Sequence, residues 1–244
     1  GSRLVVRGDD GGVVSAWSGG EVDYPGRGQG GLFRDLFWMP EAARWGEDAS
    51  GAYQVGAASV DADGSLHLVL TRALTHPALA GLHLTKEYII EPGLRRLAAE
   101  VSILNQGDVE REFCYWSWHR LGVPSSEAVY AVQGDPALVA GPAAPGHLFA
   151  KPHFSEWVRV SDRYYLCWDR SRPASGGAYL DRLHVWNDSR CPALGLIGKA
   201  VALAPGRAFQ ARLRCHAIPR AAAAPAATPR ADVRLVHPYG VRRK

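Results

Sequence analysis

The chain has 244 residues, 47% hydrophobic and 21% charged, with a formal charge of +4. From Pro219 onward it carries six basic residues and one acid, so this tail holds +5 and residues 1–218 are left with −1. A near-neutral body argues against a phosphate-tracking basic face, and no apolar run approaches the ~20 residues that span a bilayer, so the sequence reads as a soluble domain, cytoplasmic by preference, with neither nucleic acid nor membrane as partner.

The first two residues, Gly1-Ser2, look like an expression scar, which leaves a removed signal peptide open. Residues 19–54 then read as a long glycine-rich connection. Its GRGQGG run (26–31) superficially resembles a phosphate-cradling loop. It lacks the lysine-plus-hydroxyl ending of a P-loop, and no helix plainly follows it. Next, LHLVLTR (66–72) sets Leu66, Leu68, Leu70 and Arg72 against His67, Val69 and Thr71. In GLHLTKEYIIE (81–91), Leu82, Leu84, Tyr88 and Ile90 share one face. This period of two predicts strands with two different faces. EPG (91–93) signals a turn into a strand over 94–105, and NQGD (105–108) a turn into VEREFCYWSWHRL. These three long strands predict an antiparallel meander.

A second irregular stretch covers 134–157. Strands are then expected over 158–169, 178–188, 193–203 and 207–218, the last two joined by the turn APG (204–206). No segment shows a convincing amphipathic helix of three turns, and no βαβ alternation appears. The reading is all-β, a large sandwich or barrel. The end, PRAAAAPAATPRADVR (219–234), is low-complexity and reads as a disordered tail.

Four cysteines, Cys114, Cys167, Cys191 and Cys215, stand 53, 24 and 24 residues apart. No CxxC pair is present, so neither a zinc ribbon nor a disulfide framework is implied and buried free thiols are expected. No GxSxG elbow or HExxH pair supports a serine hydrolase or zinc protease. No metal or cofactor is expected. What remains is a set of aromatic and guanidinium side chains: Arg34, Trp38, Trp45, Arg72, Trp116, Trp118, Trp168 and Trp186. Indole faces suit C–H-rich surfaces and arginine forks hold hydroxyls or acids, a chemistry that fits carbohydrate. For any single tryptophan, core packing is the competing reading.

The block GLHLTKEYIIEPGLRRLAAEVSILNQGDVEREFCYWSWHRLG resembles the central hairpins of the galactose-mutarotase-like superfamily, which includes aldose 1-epimerases and hexose-phosphate epimerases. Asn105 and His119 match the strand-ending asparagine and site histidine of that pattern. GGLFRDLFW is similar to its glycine–arginine segment, with Arg34 at the sugar-facing arginine and Asp35 beside it. The resemblance implies a two-sheet antiparallel supersandwich of the galactose-mutarotase type over residues 1–218, followed by the tail 219–244. It also implies a carbohydrate ligand held in an open groove, with Arg34 facing the sugar; Asp35, Trp38 and Arg72 are the further candidate binders, Arg72 for hydroxyls or acids and Trp38 as a stacking platform. The alternative is an aldose 1-epimerase-like isomerase, in which a carboxylate and a histidine interconvert sugar anomers. The family's glutamate lies on the strand before the LAPG-type turn, and here that strand, ALGLIGKAVAL, has no acid. Asp169 is the substitute base considered, with His119 as acid. Alternation puts Tyr115, Ser117 and His119 on one side and Trp116, Trp118 and Arg120 on the other. The more polar histidine side is expected to face the cleft and the tryptophan side the core. A histidine satisfied within the core stays open as the other reading.

Overall fold

The computed structural model describes residues 3–19, 22–24, 31–39, 44–46, 51–92, 96–120, 130–132, 135–140, 146–150, 157–160, 164–169, 180–187 and 192–217. They form β1 (Arg3–Arg7), β2 (Val13–Gly19), β3 (Val22–Tyr24), β4 (Arg34–Met39), β5 (Arg44–Gly46), β6 (Gln54–Val60), β7 (Leu66–Ala73), β8 (Leu82–Ile90) and β9 (Arg96–Asn105). The chain continues through β10 (Arg111–Arg120), β11 (Tyr130–Val132), β12 (Asp135–Ala140), β13 (Gly146–Ala150), β14 (Trp157–Val160), β15 (Tyr164–Trp168), β16 (Leu180–Asn187), β17 (Ala193–Leu203) and β18 (Ala208–Ala217). Among the described residues a 3-10 turn, Pro77–Leu79, interrupts the strands. Among the described residues no helix is long and apolar enough to cross a membrane.

Two sheets carry the architecture. The larger has nine strands in the order β12-β11-β14-β15-β18-β9-β8-β7-β6, and the smaller has six, β13-β16-β17-β10-β4-β5. A three-stranded sheet, β1-β2-β3, is separate in its strand pairing but packs Val14 and Trp17 into the same core. Every pairing is antiparallel. The period-two pattern explains the inner faces: on β8 burial alternates from Leu82 to Ile90, and on β18 from Phe209 to Cys215. Phe37, Phe113, Tyr115, Leu194 and Leu196 of the six-stranded sheet share one core with Tyr88, Leu97, Phe209 and Leu213 of the nine-stranded sheet. Edge-to-face rings cross the gap, with Phe113–Phe209 centroids at 5.7 Å and Tyr115–Trp168 at 5.9 Å.

The structure corrects four expectations. The third strand of the meander, β10, leaves β9 and pairs with β17 and β4, while β18 takes the place beside β9. Both of its faces are buried, with Phe113 and Tyr115 inward and Trp116 and Trp118 outward, so it suits the middle of a sheet rather than a half-solvated hairpin. Asn105 secures the crossing: its amide donates to the carbonyls of Val109 (2.8 Å) and Leu203 (2.7 Å), tying the end of β9 to β17. The single strand expected over 158–169 is the hairpin β14–β15. The two stretches read as connections contain strands, β3, β4 and β5 in the first and β12 and β13 in the second. The tail 219–244 and residues 26–30 of the glycine run lie outside the described residues.

Candidate functional site

The six-stranded sheet has a second, outward face. There Trp116, Trp118, Ala193 and Ile197 form a separate apolar cluster, with Leu36 and Cys114 against it. The two indoles meet edge to face at 5.8 Å, and His184 of β16 stands 5.0 Å from Trp116 and 5.2 Å from Trp118. The register of β4 on β10 sets Arg34 across from Trp118, Leu36 from Trp116 and Trp38 from Cys114. Arg34 and Trp38 therefore share this face with the indoles. The Arg34 guanidinium donates to the Asp10 carboxylate at 2.7 Å. Trp116 fits flat on the sheet because β17 has a glycine beneath it. A Cβ on Gly195 would stand 2.0 Å from Trp116 Nε1.

The expected facing of β10 is reversed. Tyr115, Ser117 and His119 point into the gap between the sheets, all with no exposed surface, and the tryptophans point outward. A strand whose two faces are both buried gives polarity no power to tell them apart, and Ser117 and His119 satisfy each other inside, Oγ to Nε2 at 3.1 Å. His119 Nδ1 accepts the backbone N–H of Phe33 at 3.3 Å, and the Phe33 ring abuts the imidazole edge to face at 4.9 Å. With Nδ1 accepting, the proton sits on Nε2, which donates to Ser117. Burial, followed by the charge of Lys86, holds the pKa of His119 down at about 3.

Around Phe33 and Asp35 lies a buried polar network that spans the two sheets. Asp35, on the inner face of β4, is fully enclosed and accepts from Lys86 Nζ at 2.5 Å, from Tyr115 Oη at 2.6 Å and from Tyr53 Oη. Lys86 Nζ also donates to the Phe33 carbonyl at 2.6 Å and lies 5.2 Å from the Tyr53 ring and 5.7 Å from that of Tyr88. Burial lowers the Lys86 pKa, and its pairing with Asp35 opposes that. Burial also raises Tyr53, Tyr88 and Tyr115 well above the usual phenol range, so all three serve as neutral donors. Tyr88 gives its proton to the Gly12 carbonyl at 2.5 Å. Arg72 lies over the Tyr53 ring at 4.8 Å and is 7% exposed. Phe33 itself has φ 63°, a left-handed conformation that costs an ordinary residue about 1–2 kcal/mol.

These placements sort the predicted site residues. Arg34 and Trp38 meet on the outer face; Asp35 and His119 are enclosed beneath it, in the gap between the sheets. Arg72 also points inward, from β7 of the other sheet, as its slot beside Leu68 and Leu70 requires. Asp169 follows β15 on the nine-stranded sheet and is ion-paired with Arg214 on that sheet's outer side. His119 and Asp169 are therefore not assembled as an acid–base pair. The side chains of Trp45 and Trp186 lie outside the described part, and Trp168 belongs to the core. Lys86, Tyr53 and His184 escaped the sequence reading. Alternation does place Lys86 on the apolar face with Leu84 and Tyr88, a charged residue in a core slot. Nothing comparable marks His184. Among the described residues no three His, Cys, Asp or Glu side chains could hold a metal ion. Among the described residues Cys114, Cys167 and Cys215 form no disulfide with one another, and Cys191 lies outside the described residues.

The low pKa of His119 predicts acid sensitivity. Between about 6.5 and about 3 the unfolded chain takes up a proton that the folded imidazole refuses. Stability is thus full above about 6.5 and falls as pH drops towards 3, by up to ~1.4 kcal/mol per pH unit. Half-buried His216 acts in the same direction. His67, held by Glu87 and Asp61, has its pKa raised and acts oppositely, its contribution present at low pH and lost as pH rises. Denaturation midpoints measured across pH 3–7 should fall on the acid side in the wild type and less steeply in His119→Asn.

No protein-family model matches the chain, and no curated protein does. Solved structures do match. A galactose mutarotase-like protein from Clostridium acetobutylicum is 10% identical with a TM-score of 0.61, over 89% of this chain and 92% of that one. One from Lactobacillus casei is 11% identical with a TM-score of 0.58, over 89% and 100%. A galactose mutarotase related enzyme from Lactobacillus acidophilus is 10% identical with a TM-score of 0.56, over 88% and 94%.

Proposed function

We propose that this chain, which has the galactose-mutarotase-like fold, recognises a carbohydrate on the outer face of its six-stranded sheet. The observation that supports this reading is the gathering of Trp116, Trp118 and His184 with Arg34 and Trp38 on one sheet face. Trp116, Trp118 and His184 are buried and form the floor of this face, and the half-buried Trp38 and Arg34 are the groups a ligand reaches: an indole accepts the C–H side of a pyranose, and a guanidinium fork can hold ring hydroxyls or an acidic substituent. Binding without turnover is favoured over anomer interconversion. Acid–base catalysis needs two titratable groups within hydrogen-bond reach of one substrate. His119 is enclosed on the opposite side of its sheet, Asp169 is paired on the other sheet, and Asp10 is held by Arg34. The strand β17, which runs beside β10 on this face, carries no acidic residue at any position.

The test is tryptophan fluorescence titration against a panel of mono- and oligosaccharides. The wild type should bind at least one. Arg34→Ala and Trp38→Ala, at half-buried positions, should each weaken binding about tenfold or more, equivalent to ~1.4 kcal/mol. Their unfolding midpoints should stay close to the wild-type value. No binding across the panel, or binding undiminished in both variants, would overturn the reading.

A further inference from the structure

We infer that His119 and Lys86 are positioning residues that hold the peptide unit before Arg34 in its left-handed conformation and thereby aim the Arg34 guanidinium onto the outer face. Gly31 enters beneath β2 so closely that a Cβ there would lie 2.4 Å from the Val14 carbonyl oxygen. Its own carbonyl accepts the Arg120 N–H at 3.0 Å, and Leu32 exchanges two backbone hydrogen bonds with Val14. Up to Leu32 the path is therefore set by backbone contacts alone. At Phe33 the backbone turns to φ 63°, and among the described residues two side chains hold it: His119 Nδ1 takes the Phe33 N–H, and Lys86 Nζ holds the Phe33 carbonyl.

The same ammonium reaches past Arg34 to the Asp35 carboxylate at 2.5 Å. Lys86 thus grips the residue before Arg34 and the residue after it. Asp35 and Phe33 are both drawn inward to one buried cation, and the strand pleat leaves the intervening side chain no direction but outward. There Arg34 meets Asp10 across from Trp118. His119 comes from the six-stranded sheet and Lys86 from the nine-stranded one, so the aim of Arg34 depends on how the two sheets are seated. A group with no exposed surface and both ring nitrogens engaged acts on a ligand only through its neighbours, and Phe33 is the neighbour that leads to the site.

The inference rests on the carbohydrate reading for its functional meaning, but its test does not need a sugar. Asparagine places an acceptor near the position of Nδ1, whereas glutamine reaches the position of Nε2. His119→Asn should keep the hold on Phe33, and His119→Gln should keep only the contact with Ser117. Modification of Arg34 by phenylglyoxal, followed by mass spectrometry, reads the result. Arg34 should be slow in the wild type and in His119→Asn, and on the order of tenfold faster in His119→Gln. Exposed Arg96 and buried Arg72 should keep their rates in all three proteins, as controls for reagent and fold. Equal Arg34 rates in the asparagine and glutamine variants would overturn the inference. Should the glutamine variant not fold, the wild type decides in 15N-labelled form. A scalar coupling between the Phe33 amide nitrogen and His119 Nδ1 is expected, and its absence overturns the clamp. Failure of the carbohydrate reading shows separately, as a wild type that binds no sugar while the Arg34 pattern stands.

Discussion

Lys86→Met lowers the free energy of unfolding by about 3–5 kcal/mol in urea denaturation, the range for breaking a buried ion pair from one side. The figure is large because of what is left behind. Lys86 has no exposed surface, and among the described residues its ammonium is the cation in contact with the enclosed Asp35 carboxylate. Methionine fills the same volume but strands that carboxylate, with Tyr53 and Tyr115 as its remaining donors. It also leaves the Phe33 carbonyl without its donor at a backbone already in the left-handed region. Against a typical total of about 5–15 kcal/mol, this removes a substantial share of the stability. The double variant Lys86→Met/Asp35→Leu should recover most of the loss, since removing both charges together removes the desolvation penalty. A loss below about 1 kcal/mol in the single variant would mean that the network does not join the sheets as described.

Gly195→Ala should have the largest effect on the binding face. The added Cβ would fall 2.0 Å from Trp116 Nε1 and 2.6 Å from its Cε2, so the indole has to leave its place. Trp116 is 2% exposed and is packed by Trp118 and His184, so its displacement disturbs all three rings. Overpacking of this kind costs about 1–3 kcal/mol of stability. Sugar binding should weaken by about a hundredfold, equivalent to ~2.8 kcal/mol, a heavier loss than for Arg34→Ala. Thermal unfolding and the fluorescence titration read the two effects, and unchanged affinity would place the ligand elsewhere.

Much of the fold was legible in the chain because its longest strands obey a strict period of two. Residues 66–72, 81–91, 94–105 and 193–203 match β7, β8, β9 and β17 closely, and the turns at EPG and APG separate them as expected. The failures have a common physical source. Alternation reports that a strand has two faces, and names the buried one only when the other meets water. On β10 both faces are buried, so Trp116 and His119 could not be assigned from polarity, and its departure from β9 left no local trace. The strand β4 was hidden inside a glycine-rich run, although its pattern of Asp35, Phe37 and Met39 inward and Arg34, Leu36 and Trp38 outward is regular. Asp35, a candidate substrate binder from the sequence, is enclosed in the gap between the sheets. Its partner Lys86 lies fifty-one residues later, and only folding brings them together. Arg34 and Trp38 lie on the outer face that the proposed function uses, while the Lys86–Asp35 support beneath them leaves no local signal in the sequence.

The central claim is that this face binds a sugar and does not interconvert its anomers. NMR magnetisation exchange between the α and β anomeric signals of the aldose that the protein binds tests it most directly. The account predicts signals perturbed by the protein, with perturbation lost in Arg34→Ala and an exchange rate equal to that of the sugar in buffer. Accelerated exchange that disappears in His119→Ala, in protein shown to be folded, would contradict it.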